Sequence, residues 1–194
     1  MHIIIYGPEG SGKGTQAKLL GDFLNLPVFT AGDLVREAAI KNKGELGNAA
    51  RLALTSGKYL SDKDMFELLR EKLATKQAKK GFILDGFPRN LDQAKFLLRE
   101  TQKSEYKIDK LIYLKLSDEE AQKRLLKRKR PLFTGSKLLH DTPERILQRL
   151  KTYRQLEEPV LKLFREKKLV LEIEGDNTPE IVFKNILQGL KFPQ

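Results

Sequence analysis

Gly7-Pro8-Glu9-Gly10-Ser11-Gly12-Lys13-Gly14-Thr15 is the stretch whose reading decides the fold. It follows the pattern G-x-x-x-x-G-K-[ST] as far as Lys13 and then departs from it: Gly14 follows the lysine, and the hydroxyl arrives one place later, at Thr15. Glycines let backbone N–H groups turn inward around phosphate oxygens, a following helix presents its positive N-terminal end, and Lys13 adds a mobile point charge between terminal phosphates. Thr15 is then placed to contact Mg²⁺. The same string also occurs as a plain glycine-rich turn, so its neighbours decide. Before it, His2-Ile3-Ile4-Ile5-Tyr6 is an apolar run of the kind that a strand buried on both faces requires. After it, Ala17, Leu20, Phe23 and Leu24 recur at helical spacing. Strand, loop, lysine and helix together read as a cradle for a nucleoside triphosphate, with Gly10, Ser11, Gly12, Lys13, Gly14 and Thr15 around the phosphates.

Working outward, similar apolar runs occur at Phe82-Ile83-Leu84, Leu111-Ile112-Tyr113-Leu114 and Leu169-Val170-Leu171, with Val28-Phe29 as a weaker fifth, and helical stretches separate them. Ser117 with Glu120 forms a capping box, and Thr178-Pro179 supplies an N-cap followed by proline at the first helical position. Strands alternating with helices predict an α/β protein: a three-layer P-loop fold with a five-stranded parallel sheet flanked by helices, its sites at the carboxyl ends of the strands. Residues 1–194 read as a single domain carrying two inserted segments. One is helical and alanine-rich, at 30–60; the other, at 129–141, has turn residues and little periodicity.

Composition agrees with one compact unit, at 194 residues with 40% hydrophobic content. No apolar run approaches the roughly 18–20 residues that cross a bilayer, and His2 to Tyr6 is too short for a signal peptide, so a cytoplasmic protein without a membrane partner is expected. The absence of cysteine excludes disulfides and a thiolate zinc site. Net charge is +11, from 37 Lys+Arg against 26 Asp+Glu, which suits polyanionic partners in general. The densest basic block, Lys123 to Arg130, reads by itself as a solvated helix face or a nucleic-acid patch, but Arg124 and Arg128 stand i,i+4 and so share one face.

A cradle does not name the acceptor; hydrolases, switches and small-molecule kinases all use one. Further stretches are more specific: Gly12 to Gln16, Thr30-Ala31-Gly32-Asp33-Leu34-Val35-Arg36, Gly57-Lys58-Tyr59-Leu60-Ser61-Asp62, and Asp85-Gly86-Phe87-Pro88-Arg89 with Gln93. Arg124 and Arg128, Arg149-Leu150 with Tyr153, and Glu174-Gly175 complete the series. In this order they resemble the motifs of the adenylate kinase family and its close relatives, the UMP/CMP kinases, over nearly the whole chain. The resemblance implies a phosphotransferase working on ATP, AMP and ADP with Mg²⁺ and without zinc, a monomer with no nucleic-acid partner. Segment 30–60 becomes the lobe that binds the monophosphate, and 129–141 a short lid. On this likeness Lys13, Arg89, Arg128 and Arg149 carry the catalysis. Arg124, Arg128, Gly175 and Asn177 join the loop around ATP. Ala31, Arg36, Lys58, Tyr59, Leu60, Gly86, Phe87, Pro88, Arg89, Gln93 and Arg149 surround AMP, while Asp85 holds Mg²⁺ through water and Thr15 contacts it.

The chemistry suits these residues, because phosphoryl transfer between nucleotides needs many donors around several phosphates and the exclusion of water. Three departures stand out. Ala31 and Asn90 resemble the pyrimidine enzymes, whereas Gln93 resembles the adenylate kinases. The interval from Arg128 to Arg149 is too short for a long β-rich lid. The usual Arg-x-Asp-Asp becomes Leu138-Leu139-His140-Asp141, leaving Arg130, Lys137 or Arg145 to replace a phosphate arginine, with His140 an ordinary polar residue. Transfer from MgATP to AMP is the resulting expectation, with UMP/CMP kinase activity second and a nucleotide- or RNA-binding regulator as the alternative of another class.

Overall fold

The computed structural model describes residues 1–56, 58–104, 106–128 and 141–192. Gly57 and residues 129–140 of the segment expected as a lid (129–141), including Arg130, Lys137, Leu138 and His140, lie outside them. All five expected strands form: β1 (His2–Tyr6), β2 (Val28–Thr30), β3 (Phe82–Asp85), β4 (Lys110–Lys115) and β5 (Val170–Glu174). They make one parallel sheet in the order β2-β3-β1-β4-β5. β1 is central because all five of its residues are buried, with Ile4 paired to Leu84 on one side and Leu111 on the other. β5 is an edge strand and correspondingly less buried; Leu169, expected within it, precedes its first residue.

Side chains alternate across a strand, which gives the sheet two apolar faces. Ile3, Ile5, Ile83, Ile112 and Leu114 face α1 (Lys13–Leu24) and α9 (Pro179–Gly189), where Ala17, Leu20, Val182 and Ile186 meet them. Ile4, Tyr6, Phe82, Leu84, Leu111 and Tyr113 share the larger cluster with the other helices. These are α2 (Ala31–Lys41), α3 (Glu45–Ser56), α4 (Asp62–Leu73), α6 (Leu91–Lys103) and α8 (Pro143–Glu166), with Ala78 of the short α5 (Lys76–Lys80). α7 (Asp118–Arg128) packs its Ala121 and Leu125 against Ile146 and Leu150 of α8 in a third cluster. Phe23, expected on the apolar face of α1, is half exposed; it lies edge-on to Phe183 and Phe192 at 5.9 and 5.6 Å. Among the described residues no helix is long and apolar enough to cross a membrane.

Caps place the helix starts where the sequence implies them. The Ser117 hydroxyl accepts from the N–H of Glu120 (3.2 Å) and that of Thr178 from Ile181 (3.5 Å). Thr30, at the carboxyl end of β2, does the same for Asp33 (2.9 Å), so α2 turns away directly from the sheet edge. Among the described residues, segment 30–60 thus consists of the end of β2, α2, α3, the connection between these helices and the irregular residues 58–60. Leu34, Val35, Ala38, Leu46 and Ala50 join the apolar cluster that contains Ile4 and Leu84.

His2 fastens the amino end of β1: its Nε2–H donates to the carbonyl of Ala78 (3.0 Å) and its ring stacks on Tyr106 at 4.3 Å. Burial pushes the imidazole below its ordinary value of 6.5, against the opposing pull of the Ala78 carbonyl and Asp109. Folding therefore favours neutral His2. Its contribution is present above pH 6.5 and is lost as pH falls from there through the lower folded value, because the unfolded chain takes up the proton first. Urea unfolding of His2→Gln should show a smaller loss of stability on mild acidification than the parent chain; equal slopes would contradict this.

Candidate active site

The carboxyl end of β1 runs straight into the glycine loop. Gly7 has φ +147°, and a Cβ there would fall 2.6 Å from the carbonyl oxygen of Leu114 in β4, so the loop leaves the sheet by a path only glycine fits. Gly12 caps α1 at φ 88° without a side-chain hydrogen bond, so the first N–H groups of the helix, from Lys13 onward, face the loop. The Ser11 hydroxyl is buried beneath them and has no hydrogen-bond partner among the described residues. Lys13 Nζ donates to the carbonyl of Pro8 (2.8 Å). Burial lowers the Lys13 pKa, while the carboxylates of Asp85 and Glu9 hold it up. Burial correspondingly raises Asp85, which Lys13 and Arg89 pull back down.

Two cavities open at this edge. One, of about 400 Å³, has walls from Ile5, Tyr6, Gly7, Tyr59, Gly86, Phe87, Pro88, Arg89 and one face of α8: Gln148, Arg149, Thr152, Tyr153 and Leu156. The other, of about 420 Å³, is lined by Gly10, Gly12, Gly14, Thr15, Asp85, Arg124, Leu125 and Arg128. Glu9 and Lys13 line both, so the cavities meet at the loop. Both fall in the size range of small-molecule sites.

Arginines reach this junction from separate elements. Arg89 is fixed by its Nε–H to the carbonyl of Gly86 (2.9 Å), and its guanidinium lies 3.8 Å from the centre of the Tyr59 ring. Arg149 donates to Glu9 (2.8 Å) and to Asp141 (2.9 Å); Arg128 forks onto the same Asp141 (2.9 and 3.1 Å). The Asp141 side chain is fully buried, so a carboxylate beneath the surface orients both. Arg124 donates to the carbonyl of Gly175 (2.9 Å), Glu120 (2.8 Å) and Asp176 (3.2 Å), which ties α7 to the turn after β5.

The remaining motif residues do not line either cavity. Arg36 is 58% exposed and paired with Asp33 at 2.6 Å. Lys58 and Asn177 are exposed, Leu60 is half-buried against the larger core, and Ala31 is buried beside Gly86. The Gln93 amide is engaged within the protein: its Nε2–H donates to Asp62 (2.6 Å), which also receives Asn90 (2.9 Å), and its Oε1 accepts from the N–H of Arg89 (2.7 Å). Gly175 enters through its carbonyl rather than by facing a cavity.

Conversely, the motifs do not single out Glu9, Tyr6, Gln148, Thr152 or Leu156. For α8 a signal existed, since Gln148, Thr152 and Leu156 repeat every fourth residue beside Arg149 and Tyr153 and so must share a face. Below that face, Glu157 accepts hydrogen bonds from Tyr113 and Tyr153 (2.7 Å for Tyr153) and pairs with Arg154 at 2.9 Å, bracing the cavity floor.

The family model described as adenylate kinase matches residues 5–169. The chain is 34% identical to an adenylate kinase of Fusobacterium nucleatum over 98% of each chain, and 36% identical to adenylate kinase 1 of Nostoc over 93% of each. It is 32% identical to an adenylate kinase of Archaeoglobus fulgidus over 96% of each. With a lysine-bearing loop at the head of α1, two cavities that meet at it and likeness running through nearly the full length, the chain belongs to the adenylate kinase family.

Proposed function

We propose that the chain catalyses reversible transfer of the terminal phosphoryl group of ATP to AMP, giving two ADP. One observation carries this reading: two cavities share Lys13 at their junction, with arginines in the wall of each. A hydrolase needs one nucleotide cavity and a positioned water, whereas transfer between nucleotides needs two that open onto a common point.

The donor belongs in the cavity of Gly10, Gly12, Gly14 and Thr15, with its phosphates on the loop N–H groups, Ser11, Lys13, Arg124 and Arg128. Gly175 and Asn177, on the turn that Arg124 holds, serve its base. The acceptor belongs in the cavity of Tyr59, Gly86, Phe87, Pro88 and Arg89. Its monophosphate is held by Arg89 and Arg149, and by Arg36 after that side chain turns in from solvent. Ala31, Lys58, Leu60 and Gln93 border its base and sugar, Gln93 by exchanging Asp62 for the base edge. An acceptor phosphate oxygen then bonds to the γ-phosphorus as the bond to the β–γ bridging oxygen breaks, and that oxygen leaves on ADP. No covalent enzyme intermediate is required. Lys13, Arg128 and Arg149 balance the charge that spreads over the equatorial oxygens, where preorganised donors act most strongly.

Thr15 and Asp85 share the donor cavity and offer a hydroxyl and a carboxylate. These fit Mg²⁺, which keeps several waters and takes few protein oxygens. Among the described residues no cluster of three or more His, Cys, Asp or Glu that could hold a metal occurs. When bound with ATP, Mg²⁺ neutralises charge between the phosphates.

A coupled assay offering AMP, CMP, UMP, dTMP and GMP with MgATP should show AMP turned over fastest. Faster CMP would move the acceptor assignment to the pyrimidine enzymes, and no turnover of any would overturn the kinase reading. Arg89→Lys keeps the charge but not the fork, so kcat/KM for AMP should fall on the order of 10²-fold; a loss below threefold would remove Arg89 from the site. Helices α2 and α3 are further proposed to close over the acceptor, as water exclusion requires. Solution scattering should then show compaction with a bisubstrate inhibitor, and an unchanged profile would count against closure.

A further inference from the structure

Glu9 places a carboxylate within a loop whose glycines and helix N-terminus are arranged for anions. Its Oε1 accepts from the Tyr59 hydroxyl (3.0 Å), and its Oε2 accepts from Arg149 Nη1 (2.8 Å) with Arg128 Nη2 at 3.7 Å. These donors come from three separate parts of the chain: the irregular residues 58–60 ahead of α4, α8 and α7. Glu9 also lines both cavities at their junction with Lys13. Its two oxygens therefore take the donors from the position where two nucleotide phosphates would have to meet.

Taking Arg128 and Arg149 as phosphate ligands, the reading on which this rests, we propose that Glu9 is an anion placeholder: phosphate binds by displacing its carboxylate from Arg149, Arg128 and Tyr59. Two anions cannot share these donors, since like charges in contact repel strongly. Displacement turns Glu9 toward solvent, which its side chain already meets, being 28% exposed on a loop. The arginines stay in place when it does. Asp141, with a fully buried side chain, grips both from the other side at 2.9–3.1 Å. One carboxylate thus orients the arginines permanently, and the other neutralises them until phosphate arrives. Every nucleotide then binds a site whose competent form, with Glu9 turned away, is a fraction of the whole, and apparent affinity is reduced by that fraction.

The test is calorimetric titration of the full chain and of Glu9→Gln with ADP and with adenosine, which lacks phosphate. Glu9→Gln should bind ADP about tenfold more tightly, leave adenosine affinity unchanged, and melt at a lower temperature without ligand because Arg149 has lost an ion pair. Glu9→Ala should tighten ADP binding likewise, which separates release of competition from any new contact of the glutamine. ADP affinity unchanged or weakened in both variants would overturn the proposal, as would equal tightening of adenosine. Arg149→Ala distinguishes the two levels of failure. If it weakens ADP binding while neither Glu9 variant tightens it, the placeholder alone fails. If it leaves ADP binding unaltered, the phosphate assignment of Arg149 fails and the placeholder with it.

Discussion

Cations drawn together in a half-buried cleft lose hydration and repel one another, and the carboxyl edge of this sheet is organised around that cost. Lys13 sits there with Arg89, Arg128 and Arg149 close by, and each is met by an acceptor of fixed position. Lys13 has the Pro8 carbonyl and the nearby Asp85 carboxylate, Arg89 the Gly86 carbonyl and the Tyr59 ring, and Arg128 and Arg149 the buried Asp141. These groups hold the cations apart and aimed without a nucleotide. They do so with carbonyls, a ring face and the carboxylates of Asp85 and Asp141, and Glu9 adds a further carboxylate on Arg149 (2.8 Å).

The fold supplies the rigidity that this arrangement needs. β1 is buried on both faces and hydrogen-bonded along both edges, so the loop it feeds has a fixed origin. Helix α8 links site and core: its first half presents Gln148, Arg149, Thr152 and Tyr153 to a cavity, and its second half packs Val160, Leu161 and Phe164 into the larger cluster. An arginine on such a helix loses little freedom when it binds a phosphate. Arg36 stands on the first helix after β2, largely in solvent, and has more to lose.

The two cavities also explain why the sequence motifs are uneven guides to the site. Loop residues and Gly86 to Arg89 line the cavities because a strand end delivers them as one piece. Ala31, Leu60 and Gln93 border the site at one remove, and their side chains are committed to the core or to Asp62. On the proposed assignment the acceptor base rests on Ala31 and Gln93, positions whose surroundings, more than their identities, set what they contact.

The sequence by itself determined the five strands, the parallel sheet, the helix caps and the phosphate loop. Each of these is encoded within a few consecutive residues: an apolar run, a hydroxyl three places before a free N–H, a spacing of glycines. Tertiary structure decided which charges meet. Glu9 lies 140 positions from Arg149 and 50 from Tyr59, and Gln93 lies 31 from Asp62. A residue's type states what it can bind but not what the chain will bring to it, and side chains so far apart in sequence become neighbours only through the packing of the helices and strands that carry them.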